Sequence, residues 1–297
     1  MTYGTDLLPS DQTEVGRPEE GASVALNVVV PRKHPWRWVA VVILAMVTIS
    51  AAQAVAHNEN FRWEVYWEWL FSRQVLRGVM WTLILTVVAM LLAAVIAIAL
   101  VIMRESDNPI LKGLAWVWVW FFRGTPAYTQ LLFWGLFAVL FPVLSFSNPF
   151  GPDIISIETK YIVTPLTAAI FGLGFNESAY LAEIFRAGFR AIDKGQTEAA
   201  EAIGMSRGKI WWRILMPQAM RIIVPPTGNE TIGMLKLTSL VLAIPFTLDL
   251  MFVTNSIANR LFLPVPMLMV AATWYLAVTS VLMMGQAWLE RHFGKGV

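Results

Sequence analysis

Residues 194–217 read KGQTEAAEAIGMSRGKIWWRILMP, a polar stretch between two long apolar runs. Such a stretch in an otherwise apolar chain indicates a loop between membrane-crossing helices. Residues 198–202 read Glu-Ala-Ala-Glu-Ala, which predicts a short helix with a small-residue face that another protein can approach closely. Gly204 provides the backbone freedom for a turn. Ser206 is placed to cap a second short helix, which we expect Pro217 to end or kink.

The composition is that of a membrane protein. Apolar residues make up 57% of the chain and charged residues 14%, against about 25% charged residues in soluble domains. The chain has no cysteine, which excludes disulfides, thiolate metal sites and cysteine nucleophiles. The three histidines are scattered and show no metal-ligand or catalytic-triad spacing. We therefore expect no catalytic residue and no metal site.

The apolar runs predict an all-α, polytopic membrane protein. A span requires about 20 mostly apolar residues, and the runs that meet this are 38–56, 79–103, 126–143, 163–186, 222–247 and 265–287. Residues 109–122, rich in tryptophan, are interpreted as an interfacial helix instead. The reason is that Arg123 at mid-membrane costs about 2.5–3.5 kcal/mol, and the Gly-Thr-Pro that follows it breaks a helix.

The basic residues predict the orientation. With six spans, 16 of the 22 lysines and arginines fall on the side of the 187–221 loop, five fall on the other side, and Lys236 stays in the membrane. Since cytoplasmic loops carry the excess of basic residues, both termini and this loop are predicted to be cytoplasmic. Residues 1–35 are polar and contain proline, glycine and acidic groups, so we expect a disordered tail.

Several motifs carry a resemblance to a known family. Glu198, Ala199, Ala200, Gly204 and Pro217 have the spacing of the EAA loop, so the 194–217 stretch resembles that loop of the membrane subunits of bacterial ABC importers. Further motifs are similar to the polar amino acid branch of these permeases. They are Phe122-Arg123-Gly124-Thr125-Pro126 with Gln130, Asn176-Glu177-Ser178-Ala179-Tyr180, and Lys236-x-Thr238-Ser239-Leu240. Leu237 departs from the pattern, where the family commonly has Asp or Thr.

The resemblance implies a permease subunit that is not itself an enzyme, in the bacterial cytoplasmic (inner) membrane. Residues 36–73 are then an N-terminal transmembrane anchor with an external loop. Residues 74–293 form the five-helix permease core, with 187–221 as the cytoplasmic coupling loop, and 294–297 are a tail. The implied partners are ABC ATPase subunits that bind ATP and magnesium, a second permease copy or paralogue, an extracytoplasmic solute-binding protein and an amino acid substrate. No nucleic acid partner is expected.

Polar residues inside the predicted spans are candidates for the translocation path. Ionisable groups in hydrocarbon almost always face a bundle interior or a wet cavity, and a zwitterionic substrate needs partners of both signs. The candidates are Asn176, Glu177, Asn229, Glu230, Lys236, Thr238 and Ser239. The alternative is a structural role, with Glu230 paired to Lys236 and the hydroxyl groups bonded to their own helix.

A second class of protein is also compatible with these residues. Glu177 and Glu230 are suitable proton-coupling groups for a gradient-driven secondary transporter or channel. That reading leaves the spacing of the EAA-like loop unexplained.

Overall fold

The computed structural model describes residues 36–147 and 153–293. The predicted tails at 1–35 and 294–297 lie outside these ranges. The chain divides into two units at Val55 and Ala56. The described part of the first unit is carried by helix α1 (Trp36–His57), which is apolar all round and exposes every side chain.

Helices make up most of the second unit as far as it is described, and one hairpin is present. The helices are α2 (Trp63–Leu70), α3 (Arg73–Glu105), α4 (Pro109–Gly124), α5 (Ala127–Leu140), α6 (Pro165–Arg190), α7 (Lys194–Ala202), α8 (Arg207–Ile210), α9 (Met216–Leu237), α10 (Leu250–Leu261) and α11 (Pro264–Phe293). Strands β1 (Val143–Ser147) and β2 (Asp153–Glu158) pair antiparallel, with Val143 opposite Glu158. The sequence did not predict this hairpin.

The bundle is organised around α3 and α6. One buried cluster joins α3, α5, α6 and α9, a second joins α3, α4 and α6, and a third joins α2, α3, α10 and α11. In the third cluster, the backbones of α3 and α10 approach each other closely. A Cβ atom on Gly78 would lie 2.9 Å from Leu250 Cα, and Leu250 N donates to Thr82 Oγ1 at 3.1 Å. Gly78 and Thr82 therefore allow the start of α10 to pack directly against α3.

Helix α4 is part of the bundle. The sequence predicted a helix at 109–122 lying at the membrane interface, but α4 buries Ala115, Val119 and Phe122. These side chains pack against Ala93 and Ala97 of α3 and against α6. The small alanine side chains permit the close contact, so α4 packs against the last third of α3 and the middle of α6.

The helical fold class is confirmed, and three helices have the length and apolar character needed to cross a membrane. They are Trp36–His57, Arg73–Glu105 and Pro264–Arg291. Helices α6 and α9 are less apolar because they contain several polar residues, and α5, with 14 residues, is short.

The predicted helical span across 222–247 is wrong at its end, because α9 stops at Leu237 and a 3-10 turn covers Thr238–Ala243. Two hydroxyl groups compete for the last carbonyls of the helix. Thr238 Oγ1 donates to Leu235 O and Ser239 Oγ to Lys236 O, both at 2.7 Å. Local side-chain bonds of this kind favour the end of a helix.

Candidate functional site

The EAA-like loop folds as two short helices joined at Gly204. Helix α7 is capped at its start by Asp193, whose Oδ1 accepts from Gly195 N at 2.8 Å. At its end Met205 N donates to Ala200 O at 3.1 Å and Gly204 N to Glu201 O at 2.9 Å. This is the Schellman pattern, in which the residue after the helix is left-handed. The φ angle of Gly204 is 77°, so the predicted turn is confirmed.

Beyond the turn, the chain does not follow the expectation for Pro217. Ser206 occupies the cap position of α8 but its side chain makes no capping bond. The helix then continues through a π-helical turn at Trp211–Leu215 directly into α9, whose first turn contains Pro217. Pro217 therefore does not end the helix, and the other predicted outcome, a kink, stays a prediction. Proline is tolerated in a first turn, and the wider π turn ahead of it takes up the irregularity.

The loop presents an apolar and acidic surface. Ala200 is buried, whereas Glu198, Ala199 and Ala202 are exposed. Ile203 is 78% exposed beside them. Ala199, Ala202 and Ile203 are spaced i, i+3 and i+4, so they share one exposed face, and adjoining exposed apolar side chains mark contact sites for other proteins. The sequence interpretation missed Ile203, although its position within a polar loop was a usable signal.

A second candidate site is an open cleft between the α4–α5 break, α6 and α9. Its volume is about 520 Å³. The lining residues, as the structure gives them, are Arg123, Gly124, Thr125, Pro126, Ala127, Asn176, Glu177, Tyr180, Glu230, Gly233 and Leu237. Three of the predicted path residues, Asn176, Glu177 and Glu230, therefore meet in one place.

The break between α4 and α5 leaves carbonyl groups that buried amides satisfy. Gln130 Nε2 donates to Phe122 O at 3.0 Å and to Thr125 O at 3.1 Å. Asn176 Nδ2 also donates to Phe122 O, at 3.0 Å. Both amide side chains are buried. Because unpaired backbone groups are costly in a dry interior, these bonds hold the interrupted backbone open at the wall of the cleft.

The charges in the cleft have both signs. The carboxyl groups of Glu177 and Glu230 interact with each other, and Glu177 Oε1 is buried without a hydrogen-bond partner among the described residues. Arg123, which the sequence interpretation placed at the membrane surface, stacks its guanidinium over the Tyr180 ring at 5.4 Å. Two facing carboxyl groups with one arginine make a site suited to a ligand that carries cationic groups and a carboxylate.

The other predicted path residues lie outside this cleft in the single chain. Asn229 and Lys236 are exposed on a neighbouring face of α9. Within the described ranges, no ion pair joins Lys236 to Glu230, so the pairing considered as a structural alternative is absent there. Thr238 and Ser239 bond to carbonyls of their own helix, as that alternative expected.

An ionic cluster ties α3 to α6 between the cleft and the loop. Glu183 contacts both Arg104 and Arg186, and Arg190 Nη2 lies 3.0 Å from Glu105 Oε1. These side chains are partly exposed, so each pair contributes little to stability by itself. Their effect is to hold the end of α3 against the part of α6 that leads into the loop.

The chain is similar to known transport proteins over most of its length. Residues 101–295 match the family model described as "Binding-protein-dependent transport system inner membrane component". The "Arginine transport system permease protein ArgU" of Corynebacterium glutamicum is 45% identical over 267 residues, covering 90% of this chain and 83% of that protein. The "Histidine/lysine/arginine/ornithine transport system permease protein HisM" of Salmonella typhimurium is 30% identical over 219 residues, covering 73% and 89% respectively.

Solved structures match the fold as well. The "Crystal structure of an amino acid ABC transporter with histidines" aligns with a TM-score of 0.61 and 30% identity, over 78% of this chain and 98% of the other. The MetNI methionine ABC transporter aligns with a TM-score of 0.55 at 19% identity, which supports the fold alone.

The predicted permease class is confirmed by the extent of these matches. Such a component serves as the membrane passage of an ABC importer and is not itself catalytic. A binding-protein-dependent system implies an ATPase and a binding protein as partners. The chain belongs to the family of inner membrane permease components of binding-protein-dependent ABC transport systems.

Proposed function

We propose that this permease imports cationic amino acids through the cleft of Arg123, Glu177 and Glu230. The observation that carries the proposal is the pair of interacting carboxyl groups beside a single guanidinium. A cationic amino acid has two positive groups for the glutamates and one carboxylate for the arginine, so its charges match the cleft. The names of two relatives, one an arginine system and the other a histidine, lysine, arginine and ornithine system, support this class.

In this proposal the EAA-like loop docks the ATPase. Glu198, Ala199, Ala200 and Gly204 lie in α7 and its turn, where Ala200 is buried and the other three are exposed. Pro217 lies where the loop passes into α9. The exposed face formed by Ala199, Ala202 and Ile203 supports docking, because adjoining apolar side chains favour contact with a partner surface. Movement of the ATPase is then transmitted through α7 to the end of α6 and the start of α9. Both helices line the cleft further along their length.

Six spans are proposed, with both termini and the coupling loop in the cytoplasm. They are α1, α3, the α4–α5 pair, α6, α9 and α11, of which the last five belong to the permease core at 74–293. Helices α4 and α5 have 16 and 14 residues, roughly 24 and 21 Å at 1.5 Å per residue. Neither reaches the hydrocarbon thickness of about 30 Å alone, but together they do, which puts the cleft near mid-membrane.

A second permease copy or paralogue covers the Asn229–Lys236 face of α9 in this proposal. These two residues lie seven positions apart and so share one face of the helix. A lysine facing lipid is costly, and Lys236 is exposed in the single chain. A wet path shared with the second subunit gives it a polar environment. Thr238 and Ser239 then shape the end of α9 beside that path.

The experiment compares Glu177→Gln and Glu230→Gln in proteoliposomes that contain the permease, its ATPase and its binding protein. Losing a charge partner in a buried pair costs about 2 kcal/mol or more, so we expect ATP-dependent arginine uptake to fall by about 30-fold or more. Asp107→Asn, at an exposed loop position, is the matched control and keeps wild-type uptake.

Wild-type arginine uptake by assembled glutamine variants would contradict the cleft assignment. Gradient-driven uptake by the permease without the ATPase would favour the secondary transporter or channel instead.

A further inference from the structure

A second cavity, here called the apolar groove, lies between α3, α6, α9 and α11. Its volume is about 390 Å³. Ile98, Phe185, Phe189, Met220, Ile223 and Thr227 are among the residues that line it. It is distinct from the charged cleft, since the two cavities share no lining residue.

The polar atoms of the groove wall are already satisfied. Thr227 Oγ1 donates to Ile223 O at 2.8 Å, and Thr231 Oγ1 donates to Thr227 O at 2.9 Å. The other lining side chains are aliphatic, aromatic or methionine. A groove with no polar group left to bind offers nothing to an amino acid, so its occupant has to be apolar.

The length and position of the groove match one leaflet of a bilayer. On α9 the lining runs from Met216 to Thr231, roughly 22 Å at 1.5 Å per residue. Half of the hydrocarbon core is about 15 Å thick. The groove therefore extends from the loop end of the bundle to beyond the middle of the membrane, in the direction that an acyl chain takes.

Two arginines are close in sequence to the residues at the loop end of the groove, although neither is a lining residue. Arg213 and Arg221 flank Met216 and Met220 in sequence and are exposed. Neither takes part in an ion pair within the described residues. Phe189 and Trp211 stack at 4.7 Å at the same end, and tryptophan favours the headgroup level of a membrane. Basic groups at the mouth of an apolar groove are complementary to an anionic headgroup.

We infer that the apolar groove binds one acyl chain of an anionic phospholipid, with the phosphate held by Arg213 and Arg221. The leaflet is the cytoplasmic one if the orientation proposed above holds. The site joins the end of α6 to the start of α9, which are the two helices that the coupling loop connects. A bound lipid therefore stabilises the join between the loop and the bundle.

The test is native mass spectrometry of the purified permease–ATPase complex with added phosphatidylglycerol or phosphatidylcholine. Wild type is expected to retain phosphatidylglycerol in preference to phosphatidylcholine. The Arg213→Gln, Arg221→Gln double variant leaves the apolar wall intact and should bind phosphatidylglycerol about 30-fold more weakly, at about fivefold for each arginine. Lys112→Gln, an exposed basic site at the same end of the bundle, is the control.

A groove-filling variant tests the acyl chain. Val224→Phe should abolish phosphatidylglycerol retention, while the same change at the exposed Val87 should not. Equal retention of the two lipids by wild type, or unchanged retention in the double variant, overturns the inference. The inference is also overturned if the Val224→Phe variant loses the second permease copy but retains phosphatidylglycerol as wild type does. That result would assign the groove to the subunit interface. These readouts measure lipid and subunit content, so they are independent of substrate uptake.

Discussion

At the scale of single residues, Gly204 shows how backbone conformation determines a functional surface. Its φ angle of 77° lies in the left-handed region, which costs a residue with a Cβ atom roughly 1–2 kcal/mol. Among the described residues, no atom beyond those of its two chain neighbours lies within 4 Å of a Cβ built there, so the constraint comes from the backbone and not from packing. The glycine therefore sets the angle between α7 and α8.

Replacing Gly204 with valine is expected to uncouple transport while membrane insertion remains intact. The β-branched side chain disfavours the left-handed turn, which displaces the exposed face of α7. We expect reduced co-purification of the ATPase and reduced ATP-dependent uptake.

Gly204→Asn is the graded control, because asparagine adopts this conformation more readily, and it should fall between glycine and valine. If the ATPase co-purifies fully with the valine variant and uptake is at the wild-type level, the docking assignment is wrong.

At the scale of elements, the interrupted α4–α5 helix depends on side chains that replace backbone bonds. Gln130 donates hydrogen bonds to the carbonyls of Phe122 and Thr125, and Asn176 of α6 donates a second one to Phe122. The break therefore has a defined shape, and it places Arg123 at the wall of the cleft.

Gln130→Leu should destabilise the permease by about 0.5–1.5 kcal/mol, since it removes the donor to Thr125 O and one of the two donors to Phe122 O. The free energy of unfolding in detergent, measured by denaturant titration, checks this value. Gln74→Leu, at an exposed position in the first turn of α3, should change it by less than about 0.5 kcal/mol. Equal effects from the two variants would show that the amide of Gln130 does not support the break.

At the scale of the whole molecule, the distribution of charge specifies how the chain lies in the membrane. Of 22 lysines and arginines, 16 fall on the side of the coupling loop by the six-span assignment. Moving Arg123 into the bundle reduces this excess only slightly, so the predicted orientation is unchanged.

Cysteine labelling tests that orientation directly, because the chain has no cysteine of its own. Ser206→Cys is expected to react with an impermeant maleimide only after the cells are permeabilised. Tyr161→Cys, at a site 71% exposed just before α6, should react in intact cells. The reverse pattern would overturn the topology.

The sequence by itself determined the properties that depend on local patterns. Apolar runs predicted the long helices of the bundle but not α2 or α10. The Glu-Ala-Ala and Gly204 spacing predicted the α7 turn, because hydrophobic periodicity and left-handed glycine are local features. Of the two outcomes predicted for Pro217, the end of the helix is absent, since a π turn leads directly into α9.

Only the tertiary structure decided which polar residues meet. Glu230 lines the charged cleft while Lys236, on the same helix, does not. Periodicity groups residues by helix face but leaves open how each helix is rotated against its neighbours. That rotation follows from packing between α3, α6 and α9, which involves residues distant in the chain. Arg123, Glu177 and Glu230 come together for this reason.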